Sequence, residues 1–149
     1  MNIRPADLES DWPDMMRGAR DFVSRLAHPE VIPTDDERLS EALRTLLGLP
    51  GVEVTVAEHE GRVVGGIGMI YAPFHWNPEI LWAEELFWWT DRNAPPTAAM
   101  RLFREACRVG RERGAWANFK RLMESPEGVD SVYRRSGFEP IEVSYMGRF

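Results

Sequence analysis

The sequence predicts an α/β fold: a mixed, mostly antiparallel central sheet flanked by helices on both faces. Three observations predict it. Segments that alternate at period two are interleaved with segments that repeat every three to four residues. Glu60-Gly61 turns one alternating run into the next, which is a hairpin signal. A strand over 80–90, a helix over 97–113 and a strand over 115–120 form a β-α-β unit, and such a crossover demands a parallel pair.

The elements follow in order. Ile3 and Arg4 form a short first strand, ended by Pro5. Ser10 or Asp11 caps a helix whose first turn tolerates Pro13. Trp12, Met15, Met16, Ala19, Phe22, Val23 and Leu26 make its apolar stripe, and His28-Pro29 closes it. Thr34 and Glu37 read as a capping box for a second helix. Leu39, Leu43, Leu46 and Leu47 form its buried side, and Gly48 with Pro50 stops it.

Strands are expected over 52–58 and 63–71, then a bulky loop over 73–78. The longest strand runs from Ile80 to Thr90. Both of its faces are mostly apolar, so it belongs inside the sheet with cover on both sides. The next helix carries Ala99, Leu102, Phe103, Ala106 and Gly110 on one stripe and ends at Gly114. A short helix over 129–136 stops at Gly137, and 138–149 should supply the closing strands.

At 149 residues the chain is one domain by size, with 44% apolar and 28% charged residues, as in a soluble globular protein. No apolar run approaches the roughly 20 residues of a membrane span, and the N-terminus lacks a signal-peptide core, so a cytoplasmic location is expected. One cysteine, Cys107, excludes an internal disulfide and a cysteine-rich metal site. Its place on a helix flank suits a buried small apolar residue. The three histidines lack metal-site spacing, so no metal is expected.

The net charge of −6 argues against a nucleic-acid surface. Yet ten of the 18 basic residues follow residue 100. That asymmetry suits either an anionic ligand on the back half or solvated helix faces.

Four features carry candidate chemistry. The helix start after Arg92-Asn93-Ala94-Pro95-Pro96-Thr97 offers backbone N–H groups and the positive end of a helix dipole to an anion. Pro95 and Pro96 have no N–H, which leaves the amides of Thr97, Ala98 and Ala99, with Arg92 nearby. Glu84 and Glu85 place charge in an otherwise apolar strand, where it must be paired or face a cavity. A partly buried carboxylate there suits a general base, and only one of two adjacent residues can face a given site. Phe74, His75, Trp76, Trp82, Trp88 and Trp89 offer aromatic surface for an apolar or cationic amine, or simply for packing. Tyr133 lies four residues before Gly137 on the last helix. Gly65, Gly66 and Gly68 in one strand mark either a bulge or a close approach.

The order of elements, the helix start after Thr97 and the ending Tyr133-Arg134-Arg135-Ser136-Gly137-Phe138 together resemble the GNAT superfamily of acyl-CoA-dependent N-acetyltransferases. The run Glu85-Leu86-Phe87-Trp88-Trp89 and the ending 133–140 are similar to a branch common in phage genomes. The family's loop pattern has Arg or Gln, two residues, Gly, one residue, then Gly or Ala. Here Pro95 and Thr97 replace both glycine positions.

The resemblance implies transfer of acetyl from acetyl-CoA to a primary amine, small-molecule or peptide, by direct attack in a ternary complex. It implies pantetheine pairing with the strand backbone around Phe87, Trp88 and Trp89. The pyrophosphate would sit on Thr97, Ala98 and Ala99 with Arg92. Glu84 or Glu85 would take the amine proton, and Tyr133 would protonate the thiolate. His75, Trp76 and Trp82 would border the acceptor. Dimers are frequent in the family. A degenerate domain that binds protein partners, or senses CoA without catalysis, stays open on the two prolines.

Overall fold

Among the described residues five strands form one sheet in the order β1-β2-β3-β4-β5, with β1 Asn2–Pro5, β2 Val52–His59, β3 Arg62–Phe74, β4 Asn77–Thr90 and β5 Trp116–Asn118. The computed structural model describes residues 1–26, 28–122 and 125–148. Its chain divides into two compact units, Met1–Asn118 and Phe119–Phe149.

In the first unit β1 to β4 pair antiparallel and β5 pairs parallel to β4. The parallel pair follows from the crossover through helix α3, Ala98–Glu112. Helices α1, Trp12–Val23, and α2, Asp36–Leu47, precede the long hairpins. Asp35, rather than Thr34, caps α2: its carboxylate accepts from the Arg38 N–H at 2.9 Å. α1 ends at Val23, short of His28-Pro29, and Pro29–Val31 is a separate single 3-10 turn. The expected bulky loop over 73–78 is instead a tight hairpin, in which Phe74 pairs with Asn77 around His75 and Trp76.

Helices cover both faces of the sheet. Gly18 of α1 lies against the Trp89 ring, and Phe22 packs beside it with Val56 and Val63. On the opposite face, a Cβ at Gly65 would meet Leu102 Cδ1 of α3 at 3.2 Å. Leu102 and Phe103 are among the most buried side chains of the chain. Each contributes about 2 kcal/mol over an exposed equivalent, so α3 is firmly held on the sheet.

The glycine run in β3 has a packing explanation. A Cβ on Gly68 would sit 2.5 Å from Phe87 Cε1, and one on Gly66 would sit 3.1 Å from Trp89 Nε1. The aromatic rings of β4 therefore lie across the bare backbone of β3, which replaces the side chains that glycine lacks.

The second unit holds α4, Val129–Arg135. It starts after Gly128 and ends before Gly137, whose φ values of 91° and 89° few other residues adopt. Phe119 stacks on Tyr133 at 5.7 Å and meets Phe138 edge-on at 5.0 Å. Residues 138–148 form no strand, contrary to expectation. Ile141, Val143 and Tyr145 keep the alternation of a strand but are exposed by 69%, 77% and 93%. Alternation describes a strand only when a neighbour accepts its backbone hydrogen bonds.

Candidate active site

β4 changes register in its middle. Gly68 pairs with Phe87 while the next residue, Met69, pairs with Glu85, so Leu86 is an extra residue and the strand bulges there. β5 pairs with β4 only at Trp82, Ala83 and Glu84. Beyond Glu84 no strand among the described residues lies along that edge of β4. β5 thus pairs with β4 only as far as Glu84, and the bulge at Leu86 follows two residues later.

The bulge also separates the two carboxylates. Glu84 pairs with Asn118 and Ile70, and it shares its face with Trp82. Glu85 pairs with Met69 and points to the α3 face, where it is 6% exposed. Glu84 is half-buried. Of the two, Glu84 stands at the last position where β4 pairs with β5.

Phe87, Trp88 and Trp89 pair with Gly68, Ile67 and Gly66 of β3, and their side chains pack into the core. Trp88 stacks on Phe103 at 5.6 Å, and Phe87 and Trp89 join the cluster under α1.

The loop after β4 is anchored from α1. Arg17 donates to Asp91 at 2.8 Å and to the Val63 carbonyl at 2.8 Å, and it also pairs with Asp14. Burial alone would raise the Asp14 pKa, but the Arg17 and Val63 N–H hydrogen bonds lower it on balance. The Asp91 N–H donates to the Val64 carbonyl at 2.9 Å. The turn leading into α3 is therefore fixed at its first residue.

At the start of α3 the Ala98 N–H donates to the Pro95 carbonyl at 2.8 Å, so it is engaged within the turn. Ala98 is fully buried. Thr97 is the N-cap, and its side chain makes no capping hydrogen bond. Of the three predicted amides, Thr97 and Ala99 are left for an anion. Asp14 stands in the first turn of α1 and Asp36 and Glu37 in that of α2, whereas the first turn of α3 has no acid. An anion there meets an uncompensated helix dipole. Arg92 is exposed on the same loop.

Many of the back-half arginines have surface roles. Arg108 bonds Glu105 and Glu112, Arg113 bonds Glu53, and Arg134 bonds Asp130. Burial pushes the Cys107 thiol up, as fits a packing residue.

An aromatic pocket of about 280 Å³ opens near the hairpin end of the sheet, lined by Phe74, Asn77, Ile80, Trp82 and Trp116. Phe74 stacks on Trp82 at 4.7 Å. Trp82 is thus in the pocket, whereas His75 and Trp76 form the hairpin turn beside it, with Trp76 81% exposed. Trp116 was not among the predicted residues. Its only signal was its place at the start of the strand that pairs with β4. Tyr133, in the second unit, is buried, and its hydroxyl donates to the Lys120 carbonyl at 3.0 Å.

No protein-family model and no curated protein matches the chain. Solved structures do. An acetyltransferase from Trypanosoma brucei superposes with a TM-score of 0.72 at 17% identity, over 99% of each chain. A ribosomal-protein-alanine N-acetyltransferase from Brucella melitensis gives 0.71 at 16%, over 100% of both. A transcriptional regulator from Bacillus halodurans gives 0.75 at 19%, over 99% of both. The chain has the fold of the GNAT acetyltransferases. Among its described residues no helix is long and apolar enough to cross a membrane.

Proposed function

We propose that this chain transfers an acetyl group from acetyl-CoA to a primary amine. The observation that carries the reading is the Leu86 bulge of β4, two residues past its last pair with β5, with the acid-free start of α3 following the same strand. On this reading a pantetheine arm runs along β4 over 85–90, and the pyrophosphate lies on the Thr97 and Ala99 amides with Arg92. The thioester end of the arm then lies, on this reading, at the bulge beside Glu84.

In the reaction the amine nitrogen attacks the thioester carbonyl. A C–N bond forms and the C–S bond breaks. The proton lost by nitrogen goes to the Glu84 carboxylate, and the departing thiolate takes a proton from an acid. The resemblance of the 133–138 ending implies that this acid is Tyr133, a free phenol being similar to a thiol in proton affinity.

A second reading has support in two features: Pro95 and Pro96 supply no N–H, and the Ala98 N–H is engaged with Pro95. Both weaken an anion site and favour a domain that acts through protein contacts. Calorimetric titration with acetyl-CoA separates the two. Micromolar binding, followed by acetylation of an amine that Glu84→Gln slows, is the expected result. No binding at millimolar acetyl-CoA leaves the contact domain as the reading.

A further inference from the structure

We propose that the groove between β1 and the exposed face of α3 is a docking site for a short acidic peptide, bound in extended form along the β1 edge. The site does not depend on the acetyl-transfer reading. β1 and β5 are the two edges of the sheet, and the groove lies at the β1 edge.

The groove has a volume of about 450 Å³ and is lined by Asn2, Ile3, Arg101, Arg104, Glu105 and Arg108. Its one carboxylate is already matched: Arg108 bonds Glu105 at 2.6 and 2.9 Å, and it bonds Glu112 as well. Arg101 donates to the Met1 carbonyl at 2.9 Å. Arg104 is exposed and has no hydrogen-bond or ion-pair partner among the described residues. The arginines before residue 70 differ. Each pairs with a carboxylate except Arg44, which lies over the Trp12 ring. In a chain of net charge −6, the groove thus keeps two guanidiniums that no described carboxylate takes, and its charge complements an acidic ligand.

The β1 backbone specifies the kind of acid. The Ala6 N–H donates to the Val54 carbonyl at 2.9 Å. By strand alternation Arg4 and Asn2 also turn their backbone groups to β2, and Ile3 and Pro5 turn theirs outward. Pro5 has no N–H, and its carbonyl accepts from the Arg4 guanidinium at 3.1 Å. The Met1 carbonyl is taken by Arg101. The N–H and the carbonyl of Ile3 remain, one donor and one acceptor on a groove-lining residue. A peptide residue supplies both counterparts, whereas a phosphodiester supplies no donor. The engaged carbonyls on either side keep the pairing short.

Ile3 pairs with Ala57, and Ala57 with Gly65, whose Cβ position meets Leu102 of α3. Ile3 therefore stands on the α3 face of the sheet. A ligand residue opposite Ile3 turns its side chain to that same face, towards the arginines, and so do its second neighbours. The peptide recognised carries acids at alternate positions.

The test is a fluorescence-anisotropy titration of the full chain with a dye-labelled heptapeptide in which glutamate alternates with serine. The expected result is saturable binding that weakens as salt rises and falls about tenfold when glutamine replaces glutamate, the effect of several exposed ion pairs together. Arg104→Glu should weaken binding about tenfold with an unchanged melting temperature, because Arg104 is exposed and unbonded. Arg111→Glu, on the same helix but outside the groove, should weaken it by less than about threefold. Methylating the backbone nitrogen of the central glutamate removes the donor to Ile3 and should cost about tenfold. No saturation at millimolar peptide, equal binding of the glutamine peptide, or indifference to Arg104→Glu overturns the proposal. An Arg111→Glu loss as large as that of Arg104→Glu overturns it too, since the helix charge rather than the groove would then bind. Equal binding of the methylated peptide, or tighter binding of single-stranded DNA that Arg104→Glu abolishes, overturns the strand-pairing of a peptide.

Discussion

Arg17 of α1 donates to the carboxylate of Asp91, the residue that follows β4, at 2.8 Å. The same guanidinium holds the Val63 carbonyl, so one side chain ties α1, β3 and the loop before α3 together. Arg17→Ala should therefore loosen the loop that carries Arg92. The expected outcome is a several-fold rise in KM for acetyl-CoA with a smaller change in kcat. Hydrogen bonds to charged groups of this kind contribute about 2 kcal/mol, which thermal unfolding would register. Arg17→Lys, which can keep one of the contacts, should recover part of the KM.

Ala99 offers a sharper probe of the anion site. Ala99→Asp adds an acid to the first turn of α3, which has none. That change stabilises a helix by about 0.5 kcal/mol through the dipole, while it repels a diphosphate. Acetyl-CoA affinity should fall at least tenfold with a melting temperature equal or higher. Unchanged affinity by calorimetry would place the pyrophosphate elsewhere. Ala98 is unsuited to this purpose, because it is fully buried and bulk there would disturb the core.

Gly68 is held open for the Phe87 ring. Gly68→Val should destabilise by about 1–3 kcal/mol through overpacking. In a double-mutant cycle with Phe87→Ala the two costs should be less than additive, since the smaller side chain makes room for the valine. Denaturant unfolding of the four proteins checks this.

Asp11 sets an acid limit on stability. Hydrogen bonds from Arg4, at 2.7 and 2.9 Å, hold its carboxyl below the usual aspartate range, and the Asp7 N–H adds a third at 2.8 Å. A lowered folded-state pKa gives stability that is present above the unfolded value, about 3.9, and is lost as pH falls through the folded value. The melting temperature should stay level from pH 7 to about 5 on this account and fall at lower pH. Asp11→Asn should start about 2–3 kcal/mol less stable, having broken a largely buried pair, and show a shallower acid slope.

Helices and strands were legible in the sequence because their signals are local. The leucine and aromatic stripes marked α1, α2 and α3, and Glu60-Gly61 marked the β2–β3 hairpin. The β-α-β unit required the β4–β5 pair to be parallel, whatever the packing. The candidate site was legible as residue types on β4 and at the start of α3, but not as geometry. Which face each of Glu84 and Glu85 takes depends on where the register slips, and the Leu86 bulge is a property of the β3–β4 pair rather than of either strand. The glycines of β3 were visible, but the rings of Phe87 and Trp89 that lie across them arrive from another strand. Only the tertiary structure brought Trp116 beside Trp82, engaged the Ala98 amide with Pro95, and left residues 138–148 without a strand among the described residues. Periodicity states what an element would bury if it had a partner; contacts between distant segments decide which partner it finds.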